Sequence, residues 1–319
     1  VETRGLARKV RYLREVKYSL SRLVTKLVDY KMKNPVIAAS GTYGYGEDYK
    51  DYYDPSVLGG ISSKGLTLNP KPGNNGIRLW ETPSGLLNSI GLENPGVKAF
   101  AEKSISKMKA IDSMLIVNLG GDNLEEYLEG ASILNGYPVD FIELNISCPN
   151  VKAGGMAFGM QCDSAGFITR EIKKISKHPV IVKLSPNAPS VSDIAISCQE
   201  NGADAVSLVN TFQGMAIDIR NKRAVFSNMY AGLSGPAIKP IALRMVHQTA
   251  KAVSIPVVGL GGISSWQDAV EFIMAGATAI QIGTGNFPNP NLGKEIVEGL
   301  EKYCEDNGLK NISEIRGII

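Results

Sequence analysis

Several residue types that carry common chemistries are scarce in this 319-residue chain. Histidine occurs twice, as His178 and His247. Cysteine occurs four times, as Cys148, Cys162, Cys198 and Cys304, with no Cys-x-x-Cys pair among them. Scattered cysteines and two isolated histidines argue against a metal or iron–sulfur centre held by this chain. The same cysteine usage suits a reducing, cytoplasmic compartment. No apolar run approaches the roughly 20 residues that a membrane-spanning helix needs, so no transmembrane segment is expected, and no signal peptide is visible. No Gly-x-Gly-x-x-Gly opens a helix, which argues against a dinucleotide fold. Nor does the chain offer a paired carboxylate site of the glycosidase kind. A surplus of one charge is missing too. The net charge is +3, but residues 1–21 hold six bases and two acids, which leaves −1 for the remainder. A body without basic bias gives no reason to expect nucleic acid as a partner.

Glycine, by contrast, is plentiful, and so are short apolar runs. Leu6, Val10, Leu13, Leu20, Leu23 and Leu27 recur at helical spacing among the first bases. This pattern permits a basic amphipathic helix able to dock on a membrane surface or a partner. Residues 1–21 are accordingly read as an extension, and 22–319 as one domain. Eight apolar runs then follow: Pro35–Ser40, Gly60–Lys64, Met114–Asn118, Asp140–Ile146, Pro179–Ser185, Ala203–Asn210, Ile255–Gly261 and Ala279–Thr284. Helix-like stretches separate the later ones, at Ser164–Lys177, Ser190–Asn201, Ala237–Val253 and Ser265–Ala275. Ser190 and Ser265 suit N-caps, and Gly202 and Gly276 suit C-terminal stops. Eight strands alternating with helices predict an α/β fold, a closed (β/α)8 TIM barrel. Gly65–Val97, Pro149–Asp163 and Thr211–Pro236 exceed a minimal barrel. All three follow strands, so they are long insertions on the C-terminal face, where loops carry function. Within the last, Asn221-Lys222 reads as the turn of a hairpin.

The strand ends carry the chemistry. Taking every second residue as inward, six strands finish in Ser40, Lys64, Asn118, Asn145, Lys183 and Asn210. Six converging polar groups would leave many unsatisfied donors unless a ligand met them. Strands seven and eight end instead in Gly259-Leu260-Gly261-Gly262 and Gly283-Thr284-Gly285, the usual place of a barrel's phosphate grip. Ser264-Ser265 would open a helix whose N-terminus favours an anion. A phosphorylated cofactor with a large polar head is the economical ligand, and FMN fits. Lys183 would then suit the flavin N1/O2 edge, where negative charge collects on reduction. Glu143 lies one inward layer below Asn145 and is expected to pair with Lys183 and position it. Cys148 follows the fourth strand on a glycine-rich loop, beside Asn145 and Asn150.

At Asn34–Gly41, Asn88–Gly96, Asn145–Asn150, Val182–Asn187 and Gly232–Ala237 the sequence resembles the dihydroorotate dehydrogenases, flavin enzymes of pyrimidine synthesis. The resemblance runs from Leu23 to the C-terminus. It implies FMN contacts at Ser40, Lys64, Gly65, Asn118, Asn145, Lys183, Val209, Gly235, Gly261, Gly262, Gly283 and Thr284. It implies contacts to dihydroorotate or orotate at Lys64, Asn88, Ser89, Ile90, Gly91, Leu92, Asn145, Asn210 and Thr211. It makes Cys148 the catalytic base, with Lys64 and Lys183 assisting. A cysteine base matches the soluble class. Glu81–Gly85 and Asn150–Gly155 resemble the NAD-linked type, whose catalytic subunit forms a homodimer core and works with an electron-transfer subunit carrying FAD and a [2Fe-2S] cluster, in a heterotetramer. Residues 1–21 depart from the pattern. The runner-up is a fumarate-linked soluble enzyme. More remote alternatives are an aldolase barrel using Lys183 as a Schiff base and a flavoprotein without enzymatic activity.

Overall fold

The computed structural model describes residues 21–146 and 158–319. Its strands are β1 (Thr25–Leu27), β2 (Tyr30–Met32), β3 (Val36–Ala38), β4 (Gly60–Ser62), β5 (Leu79–Thr82), β6 (Gly85–Asn88), β7 (Met114–Leu119) and β8 (Phe141–Asn145). They continue with β9 (Val180–Lys183), β10 (Ala205–Leu208), β11 (Phe212–Met215), β12 (Ile217–Asp218), β13 (Arg223–Ala224), β14 (Tyr230–Ser234), β15 (Val257–Leu260) and β16 (Ala279–Ile282). The helices are α1 (Val97–Lys103), α2 (Ile105–Lys109), α3 (Leu124–Leu134), α4 (Cys162–Ile175), α5 (Val191–Glu200), α6 (Lys239–Ala252), α7 (Trp266–Met274) and α8 (Leu292–Asp306).

Eight of the strands close into a parallel barrel in the order β10-β15-β16-β3-β4-β7-β8-β9. They correspond one for one to the eight apolar runs. Each is covered by helices outside and filled by side chains inside, which is why its sequence is an almost unbroken apolar run. Val180, Ile181 and Val182 of β9, for example, are all fully buried. Helix boundaries follow the caps. Ser190 Oγ accepts from Asp193 N at 3.4 Å, and Ser265 Oγ accepts from Asp268 N at 3.2 Å. Such a cap contributes about 1 kcal/mol.

The N-terminal end of the barrel is closed by a hairpin, β1 with β2. Leu27 and Met32 join Ile37, Ile116, Phe141, Ile181, Ala205, Val258 and Ala279 in one buried cluster. Tyr30 lies against Phe141 with ring centroids 4.9 Å apart. This corrects the helical reading of Leu23 and Leu27. A spacing of four fits a helix, but the open end of the barrel offers Leu27 burial that a lone helix would not. Burying one such side chain contributes roughly 1.5–3 kcal/mol. Leu6 to Leu20 lie outside the described residues.

Two insertions meet on the opposite face. Strands from Gly65–Val97 and Thr211–Pro236 form one antiparallel sheet in the order β11-β14-β6-β5. The expected hairpin is present as β12 paired with β13, shorter than its apolar flanks suggest. The sequence gives little notice of the four-stranded sheet, because β6 and β14 contain glycine and alternate poorly.

Candidate active site

The barrel lumen changes character above its apolar floor. The inward residues of the next layer are Ser62, Asn118, Glu143, Lys183, Ser207 and Gln281, all buried. They converge on the Glu143 carboxylate. Its Oε2 accepts from Asn118 Nδ2 at 2.7 Å and from Ser62 Oγ at 3.3 Å. Its Oε1 accepts from Gln281 Nε2 at 2.7 Å and from Ser207 Oγ at 2.9 Å. Lys183 Nζ stands 3.7 Å from Oε2, so the expected pair is formed. Burial works against the ionised carboxyl, but the Lys183 charge and the bonds from Gln281, Asn118 and Ser207 outweigh it. Glu143 therefore titrates below the usual carboxylate range. Gln281 Oε1 has no hydrogen-bond partner among the described residues.

Above this layer stands the amide rim. Asn145 Nδ2 lies 3.5 Å from Asn118 Oδ1, and Asn210 Nδ2 donates to Asn145 Oδ1 at 3.3 Å. Tyr127 OH fixes the end of β8 by donating to Asn145 O at 2.7 Å. Lys64 and Gly65 follow β4. A Cβ on Gly65 would lie 3.0 Å from Asn118 Oδ1 and 3.9 Å from Ser40 Oγ, so these three residues are neighbours. Ser40 and Asn210 need one correction. Ile37 and Ala205 point inward, so strict alternation would select Ala39 and Val209 instead. Both polar residues reach the rim because β3 has already ended at Ala38 and β10 at Leu208.

The segment Asn88–Leu92 leaves β6 and bends over this rim. Asn88 Nδ2 donates to Gly232 O at 3.1 Å, and Thr211 packs against Gly232. Two asparagines that the sequence reading missed hold the bend. Asn74 Nδ2 donates to Ser89 O at 3.1 Å, while Asn74 N donates to Ile90 O at 2.9 Å. Asn94 is buried. Its Nδ2 donates to Leu92 O and Thr67 Oγ1, and its Oδ1 accepts from Thr67 N and Gly96 N. Leu92 side-chain atoms approach the Gly65 Cβ position to 3.3 Å, so Leu92 borders the rim.

The glycine turns of β15 and β16 meet the start of α6. Gly262 has φ +80, and a Cβ there would lie 2.8 Å from Lys239 N and 2.9 Å from Gly235 O. Gly235 has φ +98 and faces Gly85 in the same way. Neither position accommodates a side chain, and the result is a cradle of close backbone. Gly261, Gly283 and Thr284 border it, with Thr284 Oγ1 donating to Ser234 Oγ at 2.7 Å. Backbone without side chains lets a phosphate approach main-chain N–H groups closely. The expected anion site at the start of α7 is different. Ser264 N and Oγ both donate to Asp268 Oδ2, at 2.8 and 3.0 Å, so that turn is satisfied by its own carboxylate. Asp268 also binds Lys239 Nζ at 2.6 Å.

Cys148, Pro149 and Asn150 lie outside the described residues. Cys162 opens α4, Cys198 lies in α5 and Cys304 in α8. Burial pushes the Cys198 and Cys304 thiols up to about 12 and about 11, so both remain protonated and inert. His178 and His247 bond backbone carbonyls of Leu134 and Ile319, away from the rim. Among the described residues no group of histidine, cysteine and carboxylate side chains could hold a metal. Nor is any helix there long and apolar enough to cross a membrane. Ser62, Ser207 and Gln281 escaped the sequence reading. Period two signals Ser62, which stands two residues before Lys64, whereas Ser207 and Gln281 stand two before Val209 and Gly283, which bear no polar side chain.

The model of the dihydroorotate dehydrogenase family matches residues 22–304. The chain is 52% identical over 289 residues to a Petrotoga mobilis protein named dihydroorotate dehydrogenase B (NAD(+)), catalytic subunit. That match covers 91% of this chain and 96% of the relative. A Thermoanaerobacter pseudethanolicus protein of the same name is 53% identical, covering 90% and 95%. A third, from Bacteroides thetaiotaomicron, is 49% identical, covering 93% and 98%.

Proposed function

Because the chain belongs to the dihydroorotate dehydrogenase family, we propose that its barrel mouth oxidises (S)-dihydroorotate to orotate in pyrimidine biosynthesis. It is an oxidoreductase. The observation that carries the reading is the convergence of Asn145 and Asn210 at the rim with Asn118 and Lys183 just beneath them, beside a glycine cradle.

FMN fits these residues. The cradle of Gly235, Gly261, Gly262, Gly283 and Thr284 would take its phosphate, since a Cβ at Gly235 or Gly262 would collide with backbone and force its walls apart. Asn118, Asn145 and Lys183 supply donors for the polar edge of its ring system. Ser40, Lys64, Gly65 and Val209 would complete the contact. Bound there, FMN would supply the acceptor for the hydride from C6 of dihydroorotate.

The chain's own part is to bind, orient and deprotonate. Lys64 Nζ would meet the substrate carboxylate. Asn88, Asn145 and Asn210 each offer donor and acceptor to the imide-like edges of the ring. Ser89, Ile90, Gly91, Leu92 and Thr211 would enclose it and exclude water. Cys148 Sγ, as thiolate, would take the C5 proton. A thiol with an unperturbed pKa of about 8.5 works better as pH rises.

The relatives' name, catalytic subunit, supports a partner subunit. In our reading that partner carries FAD and a [2Fe-2S] cluster, passes electrons from FMN to NAD, and joins a homodimer core of this chain in a cytoplasmic heterotetramer. We read residues 1–21 as a basic extension to the 22–319 domain.

Anaerobic titration tests the reading. Dihydroorotate should bleach the flavin bands of the FMN-loaded chain, and NAD should not restore them without the partner. Cys148→Ala should keep the yellow colour, bind orotate and bleach about 10²–10⁴ times more slowly. A parent protein that takes up no flavin, or whose flavin dihydroorotate leaves oxidised, refutes the proposal. Rapid reoxidation by fumarate would instead select the fumarate-linked enzyme.

A further inference from the structure

The Glu143 carboxylate is the one ionised group in the lumen layer beneath the rim that carries negative charge, among the described residues. Its position is costly. A buried charge persists only where hydrogen bonds and an opposite charge compensate it. Here four donors come from four different strands: Ser62 on β4, Asn118 on β7, Ser207 on β10 and Gln281 on β16. Lys183 on β9 completes the set and is the one titratable neighbour that the described residues place against it. A lysine needed only for packing would not require such a counter-ion. Serine and glutamine in fully buried strand positions would not be required either.

We propose that Glu143 is a positioning residue that lowers the electron affinity of the cofactor above it, by offsetting the charge of Lys183. The proposal rests on the flavin reading given above. Two of the groups that contact Glu143, Asn118 and Lys183, are those assigned to the polar edge of the flavin. A lone lysine there would favour the reduced cofactor, which holds more negative charge than the oxidised one. An ionised carboxylate 3.7 Å from the ammonium takes back much of that preference. The bound flavin is thereby kept reducing enough to pass electrons onward to an acceptor of low potential. The Lys183 charge and the hydrogen bonds from Gln281, Asn118 and Ser207 keep the charge on the carboxylate in the neutral range.

The test is the midpoint potential of bound FMN, measured by spectroelectrochemistry at saturating FMN. Glu143→Gln keeps the shape and removes the charge. The reduced-to-oxidised ratio at a fixed potential should rise about tenfold, a shift of about 30 mV upward for a two-electron couple. A purely structural glutamate would change thermal stability and leave the potential where it was. The double variant E143Q/K183M removes both charges together, the change that a buried pair tolerates best. Its ratio should return to within about threefold of the parent, because the two charges cancel. An E143Q flavin at the parental potential overturns the inference. So does a double variant tenfold or more below the parent, which would mean that Lys183 acts alone. Failure of the parent to bind flavin would defeat the functional reading instead, so the two failures are distinct.

Discussion

Replacing Gly262 by alanine isolates the cradle from the rest of the site. The backbone there has φ +80, where an L-residue with a Cβ is strained by roughly 1–2 kcal/mol. The new methyl would also lie 2.8 Å from Lys239 N and 2.9 Å from Gly235 O, closer than carbon and polar backbone atoms rest. Relief requires the start of α6 and the Gly235 turn to part, and these are the two walls of the proposed phosphate grip. If the strain is relieved by opening the cradle, 1–2 kcal/mol reappears as roughly 5- to 30-fold weaker FMN binding. Gly308→Ala is the control. It has φ +65 but no atom within 4 Å of its Cβ, so it carries backbone strain without a collision. It should lower stability by about 1 kcal/mol and leave FMN affinity unchanged. Flavin fluorescence titration reads affinity, and urea unfolding of the apo chain reads stability. A Gly262→Ala protein that binds FMN as tightly as the parent would refute the placement of the phosphate.

Three further outcomes follow from other parts of the fold. Leu27→Ala should lower the unfolding free energy by about 2–5 kcal/mol in urea, because a fully buried side chain leaves a cavity in the barrel plug, while FMN affinity stays at the parental value. Asn94→Ala should weaken orotate binding by about tenfold in a calorimetric titration and leave FMN binding alone, since Asn94 holds Thr67, Leu92 and Gly96 rather than the barrel wall. Glu143 has a folded pKa below its unfolded value, so the stability it adds is complete above about pH 4.3 and is lost as pH falls through the lower value. Urea midpoints of the parent and Glu143→Gln should accordingly differ most near neutrality and converge on acidification. A constant gap from pH 7 to pH 3 would contradict that account.

The barrel was legible because its signals are local. Each parallel strand is buried on both faces, and three of the helices begin at a residue whose side chain caps them: Asn123, Ser190 and Ser265. The Glu143–Lys183 pair was legible because period two puts Glu143 beneath Asn145, the residue opposite Lys183 on the adjacent strand. Alternation failed where strands stopped early, at Ala38 and Leu208, so Ser40 and Asn210 reach the rim for a different reason from the one counted. It failed at β1 and β2 because three-residue strands are too short to distinguish one period from another. The sheet over the mouth left almost no trace, since its stability comes from pairing between distant segments and not from either segment's own pattern. Asn74 and Asn94 were missed on similar grounds. A loop asparagine has no sequence signature until the backbone groups it will bind are known.

Asn88 and Gly232, joined across β6 and β14, are separated by 144 positions. Most pairings in the barrel wall join strands one helix apart, so they close short loops, whereas the mouth waits for chain made much later. During synthesis the first strands can collapse while the Asn88–Leu92 bend still has no β14 to pair with. The capacity to hold a ligand therefore arrives at the end of folding, in the region whose opening costs least. A complete chain whose β14 has not yet paired with β6 would display an open, polar-lined barrel end to proteases, and early occupancy by a ligand would be the event that withdraws it from them.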